Sequence, residues 1–159
     1  MRIGIIVAEA SGDKLAASML QDWKQRVPDL QVEGIVGPAC EALGFRSWFP
    51  MERLSVMGLI EPLKRLPELL RIRRTCLQKF LKNPPDCFIG VDSPDFTLSV
   101  EKVLHQAGIP TVHVVSPSVW AWRPGRIKTI KAAVSLMLPL FPFEHTFYQQ
   151  QGIPVHCIG

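Results

Sequence analysis

Short apolar runs rich in β-branched residues alternate along the chain with longer stretches of helical periodicity. The first run, 2–8, is followed by a turn of small residues at 9–13 and then by Leu15, Met19 and Trp23, whose spacing indicates a helix that ends near Pro28. The same alternation continues to the end of the chain. It predicts strands at 32–37, 46–49, 86–91, 110–115, 134–140 and 155–158, a helix at 54–81 with a break near Pro62 or Pro67, and helices at 96–106, 126–133 and 144–151.

This order of elements predicts an α/β domain. Strands that alternate with helices pair in parallel through right-handed crossovers. Runs that are apolar throughout are typical of strands covered on both faces. We therefore expect a Rossmann-like, doubly wound, mostly parallel sheet, built from all 159 residues as one domain.

Composition excludes several classes of protein. The chain is 47% apolar and 20% charged, as in globular domains. The first apolar run is interrupted by Glu9 and Asp13, and no run approaches the roughly 18 apolar residues of a membrane span. We therefore expect a soluble cytoplasmic chain.

The four cysteines show no C-x-x-C spacing and are expected to be reduced thiols. The sequence predicts neither a metal site nor a P-loop nor a serine-hydrolase motif.

Basic charge is concentrated in one segment. Residues 64–82 carry seven basic side chains and one acid, so this segment holds +6 of charge while the remainder holds −2 and the whole chain +4. Leucines 59, 63, 66 and 70 have helical spacing and are expected to face the core. Further apolar side chains widen this surface and arginines flank it, which favours contact with an anionic bilayer: Val56, Met57, Ile60, Leu69, Ile72, Arg71, Arg73 and Arg74.

Two other interpretations of the basic segment remain. The helix could be buried against the sheet with its charges simply in solvent. A nucleic-acid surface is disfavoured, because Phe80 is the only aromatic residue in the segment.

Candidate chemistry lies in three loops that follow predicted strands, where ligands of parallel sheets bind. In the first loop, Glu9, Ser11, Gly12 and Asp13 let a ligand approach a helix N-terminus that suits phosphate, although a tight turn capped by Ser11 explains the same pattern. In the third loop, 116–126, two tryptophans and two arginines suit a phosphorylated or acylated sugar, although a well-packed loop is the alternative. The candidates there are Ser116, Ser118, Trp120, Trp122 and Arg123.

The second loop, 90–96, carries the candidate base. Asp92 ends a buried strand, where a carboxylate can accept a proton from an attacking hydroxyl. Pro94 is expected to hold Ser93 extended, and Asp95 to cap the next helix.

Four segments, 8–13, 56–58, 90–96 and above all 115–123, resemble the N-terminal half of the lipid-A-disaccharide synthase family of bacterial inverting glycosyltransferases. The resemblance implies two Rossmann-like domains in the GT-B arrangement. It implies transfer of 2,3-diacylglucosamine from its UDP ester to 2,3-diacylglucosamine 1-phosphate, without a metal or other cofactor. Asp92 would then be the general base, and the first and third loops would hold the acceptor.

The resemblance also implies partners and a location. The uridine nucleotide would be held mainly by a second, C-terminal domain that is absent from 1–159, so we expect this chain alone to fold but not to transfer sugar. Its partners would be lipid-linked sugars, the inner face of the cytoplasmic membrane, that second domain and, at full length, a second copy; no nucleic acid is expected. The alternatives are a non-catalytic lipid- or membrane-binding module and a sugar-nucleotide epimerase, the latter disfavoured because a soluble substrate needs no bilayer contact.

Overall fold

Five parallel strands form one sheet in the order β2-β1-β3-β4-β5. The computed structural model describes residues 1–55, 60–118 and 125–159. The strands are β1 Arg2–Val7, β2 Gln31–Ile35, β3 Cys87–Val91, β4 Thr111–Val114 and β5 Leu136–Leu138. The helices are α1 Ala10–Arg26, α2 Pro38–Glu41, α3 Glu61–Lys82, α4 Pro94–Gln106, α5 Arg126–Ala133 and α6 Pro142–Gln150, with a 3₁₀ turn at Met51–Arg53.

The predicted doubly wound fold is confirmed. The chain steps from β1 to β2 in one direction and then from β2 through β3, β4 and β5 in the other. Because crossovers between parallel strands are right-handed, α1 covers one face of the sheet while α3, α4 and α5 cover the opposite face. Strand residues on both faces are fully buried, as their uninterrupted apolar runs require; Ile5, Ile6 and Val7 in β1 are examples.

In the described part of the chain, the core consists of two apolar clusters. The larger one joins β1, β3 and β4 to α1 and to Ile72, Cys76 and Phe80 of α3. The smaller one lies around β5, where Met137 packs with Ile130 of α5, Tyr148 of α6 and other buried side chains.

A polar pair is buried between α4 and β4. Glu101 and His113 are both fully buried, and His113 Nδ1 lies 2.8 Å from Glu101 Oε1. Gly90 of β3 passes directly beneath this pair, and a Cβ there would overlap the Glu101 carboxylate. Glycine at this position therefore allows the carboxylate to lie against the strand that leads to Asp92.

The predicted strand at 46–49 is wrong. Trp48 donates its amide to Gly34 of β2, but the ladder stops there because the Ser47 hydroxyl, and not a backbone carbonyl, accepts the amide of Val36. The Trp48 ring packs on Phe80 instead, with ring centroids 4.8 Å apart.

Other boundaries also differ from the prediction. The helix expected from 54 begins at Glu61 after the 3₁₀ turn, and it continues through Pro67. The expected last strand is reduced to one bridge between Val155 and Met137, and β5 is three residues long. The short helix α2 was not predicted, although Pro38 directly after Gly37 is a helix-start signal.

Helix α3 presents the opposite face to that expected. Three of the four leucines predicted to face the core lie in solvent: Leu63 is 73% exposed, Leu70 53% and Leu66 47%. The fourth, Leu59, lies outside the described residues. The buried face consists of Ile72, Cys76 and Phe80, with Leu69 and Leu77 partly buried beside them. In the described part of the chain, no helix is long and apolar enough to cross a bilayer.

The four cysteines are free thiols. Cys40 and Cys76 are buried, and burial raises the pKa of Cys76 to about 12. Within the described ranges no cluster of His, Cys, Asp and Glu is arranged to hold a metal ion.

Truncation of the buried pair tests its contribution to the fold. Glu101→Ala leaves His113 without its buried partner, so we expect the free energy of unfolding to fall by about 3 kcal/mol. Urea denaturation would measure this, with Gln106→Ala at an exposed position of the same helix as the control. Equal stability of the two variants would contradict the assignment.

Candidate active site

The candidate site is a groove where the strand order reverses. Strands β1 and β3 are neighbours, but the helices that follow them leave on opposite faces, which opens a crevice at their carboxyl ends. A groove of about 710 Å³ opens there. Glu9 follows β1, Asp92 and Ser93 follow β3, and α3 and α4 supply the walls through Leu66, Leu69, Leu70, Arg73, Phe96 and Ser99.

Asp92 has the geometry of an available base. One carboxylate oxygen, Oδ1, accepts the amide of Ser93 at 2.8 Å. The other has no hydrogen-bond partner among the residues that the structure describes, and the side chain is only partly buried. The backbone of Asp92 is held on both sides, because its amide donates to Val114 O at 2.9 Å and its carbonyl accepts Thr97 Oγ1 at 2.8 Å.

The turn after β3 is left-handed, and not extended as predicted. Asp92 has φ 56° and Ser93 has φ 43°, conformations that cost free energy in residues other than glycine. Ser93 is the N-cap of α4, while Asp95 lies in the first turn and pairs with Arg126. The N-cap is therefore two positions earlier than expected, and Asp95 instead links α4 to α5.

The first loop meets Asp92 through Gly12. Gly12 is buried, and a Cβ there would lie 3.2 Å from Val91 Cγ1 and 3.8 Å from Asp92 Cβ. Glu9 is the exposed N-cap of α1 and lines the groove, and Ser11 is exposed in the first turn without forming a cap. The first and second loops, both expected at the carboxyl ends of strands, are thus in contact, and the missing side chain of Gly12 allows this close packing.

Asp13 is not positioned to bind a ligand, which corrects the prediction. It is 2% exposed, and both carboxylate oxygens accept amides from the start of α2. Oδ1 accepts Gly37 N at 2.9 Å and Cys40 N at 3.3 Å, while Oδ2 accepts Ala39 N at 2.7 Å. Asp13 therefore caps α2 from α1 and holds the two helices together.

The third loop is tied to α6 by Ser116. Its hydroxyl donates to Pro117 O and lies 2.6 Å from the hydroxyl of Tyr148, which is fully buried. Burial raises the pKa of Tyr148 to about 12; the Ser116 hydrogen bond opposes the rise and Glu144 adds to it. Ser118 is exposed, and Trp120, Trp122 and Arg123 lie outside the described residues.

The predicted membrane residues divide into three groups. Ile60, Arg71 and Arg74 are exposed. Ile72 is 1% exposed and belongs to the core, so its predicted bilayer contact is wrong; Leu69 is half-buried in the groove wall and Arg73 is held against α4. Val56 and Met57 lie outside the described residues.

Sequence reasoning missed the residues that support the site. Thr97 and Tyr148 hold the second and third loops through hydroxyl hydrogen bonds, and Ser99 holds Arg73. A signal for Thr97 was present, since a hydroxyl residue in the first turns of a helix can bond the backbone before it.

Comparison with solved structures identifies the class of fold. The UDP-GlcNAc 2-epimerase from Neisseria meningitidis superposes with a TM-score of 0.68 at 12% identity, covering all of this chain and 46% of the epimerase. The enzyme from Methanocaldococcus jannaschii gives 0.66 at 16% identity with the same coverage. The domain therefore has the Rossmann-like architecture of one part of these larger enzymes, and at such low identity the likeness concerns the fold alone.

Sequence comparison places the chain in a narrower group. The family described as lipid-A-disaccharide synthetase matches residues 3–159, so the chain belongs to that family. A lipid-A-disaccharide synthase from Saccharophagus degradans is 58% identical over 158 residues, and one from Pseudomonas aeruginosa is 53% identical over 159. The chain spans 41% of the first relative and 42% of the second. The resemblance inferred from the four motifs is confirmed.

The revised role of Asp13 can be tested by stability. Asp13→Asn replaces one acceptor oxygen by a donor, so one amide of α2 loses its partner and the free energy of unfolding should fall by about 2 kcal/mol. Urea denaturation would measure the loss, and Ser11→Ala, at an exposed position of the same turn, should change stability by less than about 0.5 kcal/mol. Unchanged stability together with weakened acceptor binding would restore the original prediction.

Proposed function

We propose that this domain supplies the acceptor side and the general base of a lipid-A-disaccharide synthase. The reaction is the inverting transfer of 2,3-diacylglucosamine from its UDP ester to the 6-hydroxyl of 2,3-diacylglucosamine 1-phosphate. Family membership and 53–58% identity to synthases support the reaction class. The observation that carries the assignment of roles is the groove itself, which combines a carboxylate with an available oxygen and a wall of leucines.

The chemistry of inversion needs one base on this side of the cleft. Asp92 would accept the proton of the attacking hydroxyl through Oδ2, while Oδ1 stays hydrogen-bonded to Ser93 N and keeps the carboxylate oriented. The hydroxyl oxygen then forms the new bond to the sugar carbon as UDP leaves. UDP would be held by a second domain, and this chain alone would bind acceptor without turning it over.

The acyl chains of the acceptor fit the apolar wall. Leu66 and Leu70 line the groove and are also among the exposed leucines of α3. The groove is therefore continuous with an apolar surface that carries Ile60 and Leu63, with Arg71 and Arg74 exposed on the same helix. We propose that this surface, the α3 outer face, contacts the anionic inner face of the cytoplasmic membrane.

Two alternatives predict different behaviour. A non-catalytic lipid-binding module would share the α3 outer face but would not need Asp92. An epimerase would share the fold, as the structural neighbours show, but would act on a soluble sugar nucleotide and would need neither the leucine wall nor the bilayer.

Substitution of the base tests the proposed chemistry. The variant is made in the full-length gene product. There Asp92→Asn should lower kcat by about 10²–10⁴, because the proton acceptor is removed. Acceptor binding should change little, since the shape of the side chain is kept. The control is Asp29→Asn, an exposed carboxylate in the turn before β2, at the opposite end of the sheet. A kcat near that of the wild type would assign the base to another group, with Glu9 the next candidate.

Vesicle sedimentation tests the α3 outer face. Wild-type protein should bind anionic vesicles at low salt and less at high salt, because each basic residue contributes about 1 kcal/mol and salt screens it. Arg71→Glu with Arg74→Glu should lower binding at least tenfold, by roughly 1 kcal/mol per changed charge, while folding is kept. Leu63→Glu should lower binding to anionic and neutral vesicles alike.

The matched control has the same change in net charge elsewhere. Lys14→Glu with Lys128→Glu alters exposed lysines of α1 and α5 and should retain most of the binding. Equal partitioning of wild-type protein under all salt and lipid conditions would contradict the electrostatic contribution.

A further inference from the structure

Arg73 is held in place by α4. Its Nε lies 2.9 Å from Ser99 Oγ and its Nη2 lies 3.2 Å from Ser99 O. Ser99 Oγ in turn donates to Phe96 O at 2.6 Å, so the hydroxyl has one orientation. A half-buried guanidinium fixed in this way has already lost much of its conformational freedom, which favours recognition of a ligand over loose contact with a bilayer.

Arg73 also stands where two grooves meet. It lines the groove that contains Asp92, and it lines a second groove of about 450 Å³ between α4 and α5. Lys102 and Arg126 line that second groove together with one carboxylate, Asp95. Because Asp95 is paired with Arg126, the junction around Arg73 and Lys102 carries an excess of positive charge.

The spacing suits a phosphorylated monosaccharide. Ser93, at the N-cap, and Ser99, which holds Arg73, are six residues apart on α4, which corresponds to about 9 Å along the helix axis. Asp92, next to Ser93, and Arg73, bonded to Ser99, both line this groove. Within the described residues Arg73 Nη1 has no hydrogen-bond partner, so the guanidinium keeps donors for an anion.

We propose that Arg73, positioned by Ser99 and assisted by Lys102, binds the phosphate monoester of the sugar acceptor whose hydroxyl is placed at Asp92. This inference rests on the proposed function. It names the side chains that would recognise the phosphate of that acceptor, and it gives Arg73 a role distinct from that of Arg71 and Arg74 on the same helix.

Binding of two acceptors tests the inference. Titration calorimetry in neutral micelles would compare diacylglucosamine 1-phosphate with the same lipid lacking its phosphate. Wild-type protein should prefer the phosphorylated lipid. Arg73→Gln should weaken its binding about 10- to 100-fold, as expected for loss of charge-assisted hydrogen bonds, and leave binding of the other lipid unchanged.

Two further variants separate positioning from charge. Ser99→Ala should lower the preference for phosphate by less than Arg73→Gln does, because the guanidinium is released but retained. Lys82→Gln removes one positive charge from the exposed C-terminal end of the same helix and should leave both affinities as in the wild type.

The outcomes are distinguishable. If wild-type protein binds neither lipid, the proposed acceptor site fails and the inference fails with it. If it binds both, and Arg73→Gln weakens them equally or not at all, the inference is wrong while the proposed function stands. If Arg73→Gln and Arg74→Gln weaken binding to anionic vesicles without acceptor to the same extent, and the phosphate preference is unchanged, Arg73 contacts lipid head groups instead.

Discussion

Strands β1 and β3 lie side by side, and the helices that follow them leave on opposite faces of the sheet. Because the two helices diverge, a crevice between the carboxyl ends of the two strands is a geometric consequence of the strand order. Each feature of the candidate site depends on it. The first loop can approach the second because α1 begins directly beside β3, and Gly12 permits the contact because it has no side chain.

The turn at Asp92 shows how local strain is offset at this edge. Two consecutive left-handed residues cost of order 1 kcal/mol each. The Asp92 amide still donates to Val114 of β4. The Thr97 hydroxyl holds the turn by donating to the carbonyls of both Asp92 and Ser93. Several hydrogen bonds therefore fix the backbone that carries the carboxylate, and this backbone largely sets the orientation of the side chain.

The fold and the meeting of the loops could be predicted from the sequence because they follow from local patterns. Uninterrupted apolar runs give buried parallel strands, and the ends of parallel strands share an edge. The buried face of α3 could not be predicted in the same way. Its leucines and its Ile72–Cys76–Phe80 stripe both have helical spacing, and only the tertiary contacts of Phe80 with Trp48 and Phe88 decide which face is buried.

Asp13 and Arg73 show a second reason why the contacts of a side chain could not be predicted from the sequence. The sequence alone is compatible with several different partners for a carboxylate in a small-residue turn, and the same holds for an arginine in a basic segment. The partners that decide their roles, the amides of α2 and the serine of α4, lie 24 and 26 residues away along the chain. Residue type predicted which side chains are capable of proton transfer or ligand binding. Long-range packing determined what each one contacts.

Helix α3 belongs both to the core and to the candidate site. Its inner face is anchored by large buried side chains, so its outer face is free to remain apolar without destabilising the fold. Such a surface is costly in water unless something covers it. On the proposed function a lipid bilayer covers it, and Leu66 and Leu70 belong both to that surface and to the groove that holds Asp92. An acyl chain could then pass from the membrane to the site along one continuous apolar wall, while the sugar head group meets Asp92 and Arg73 in the groove.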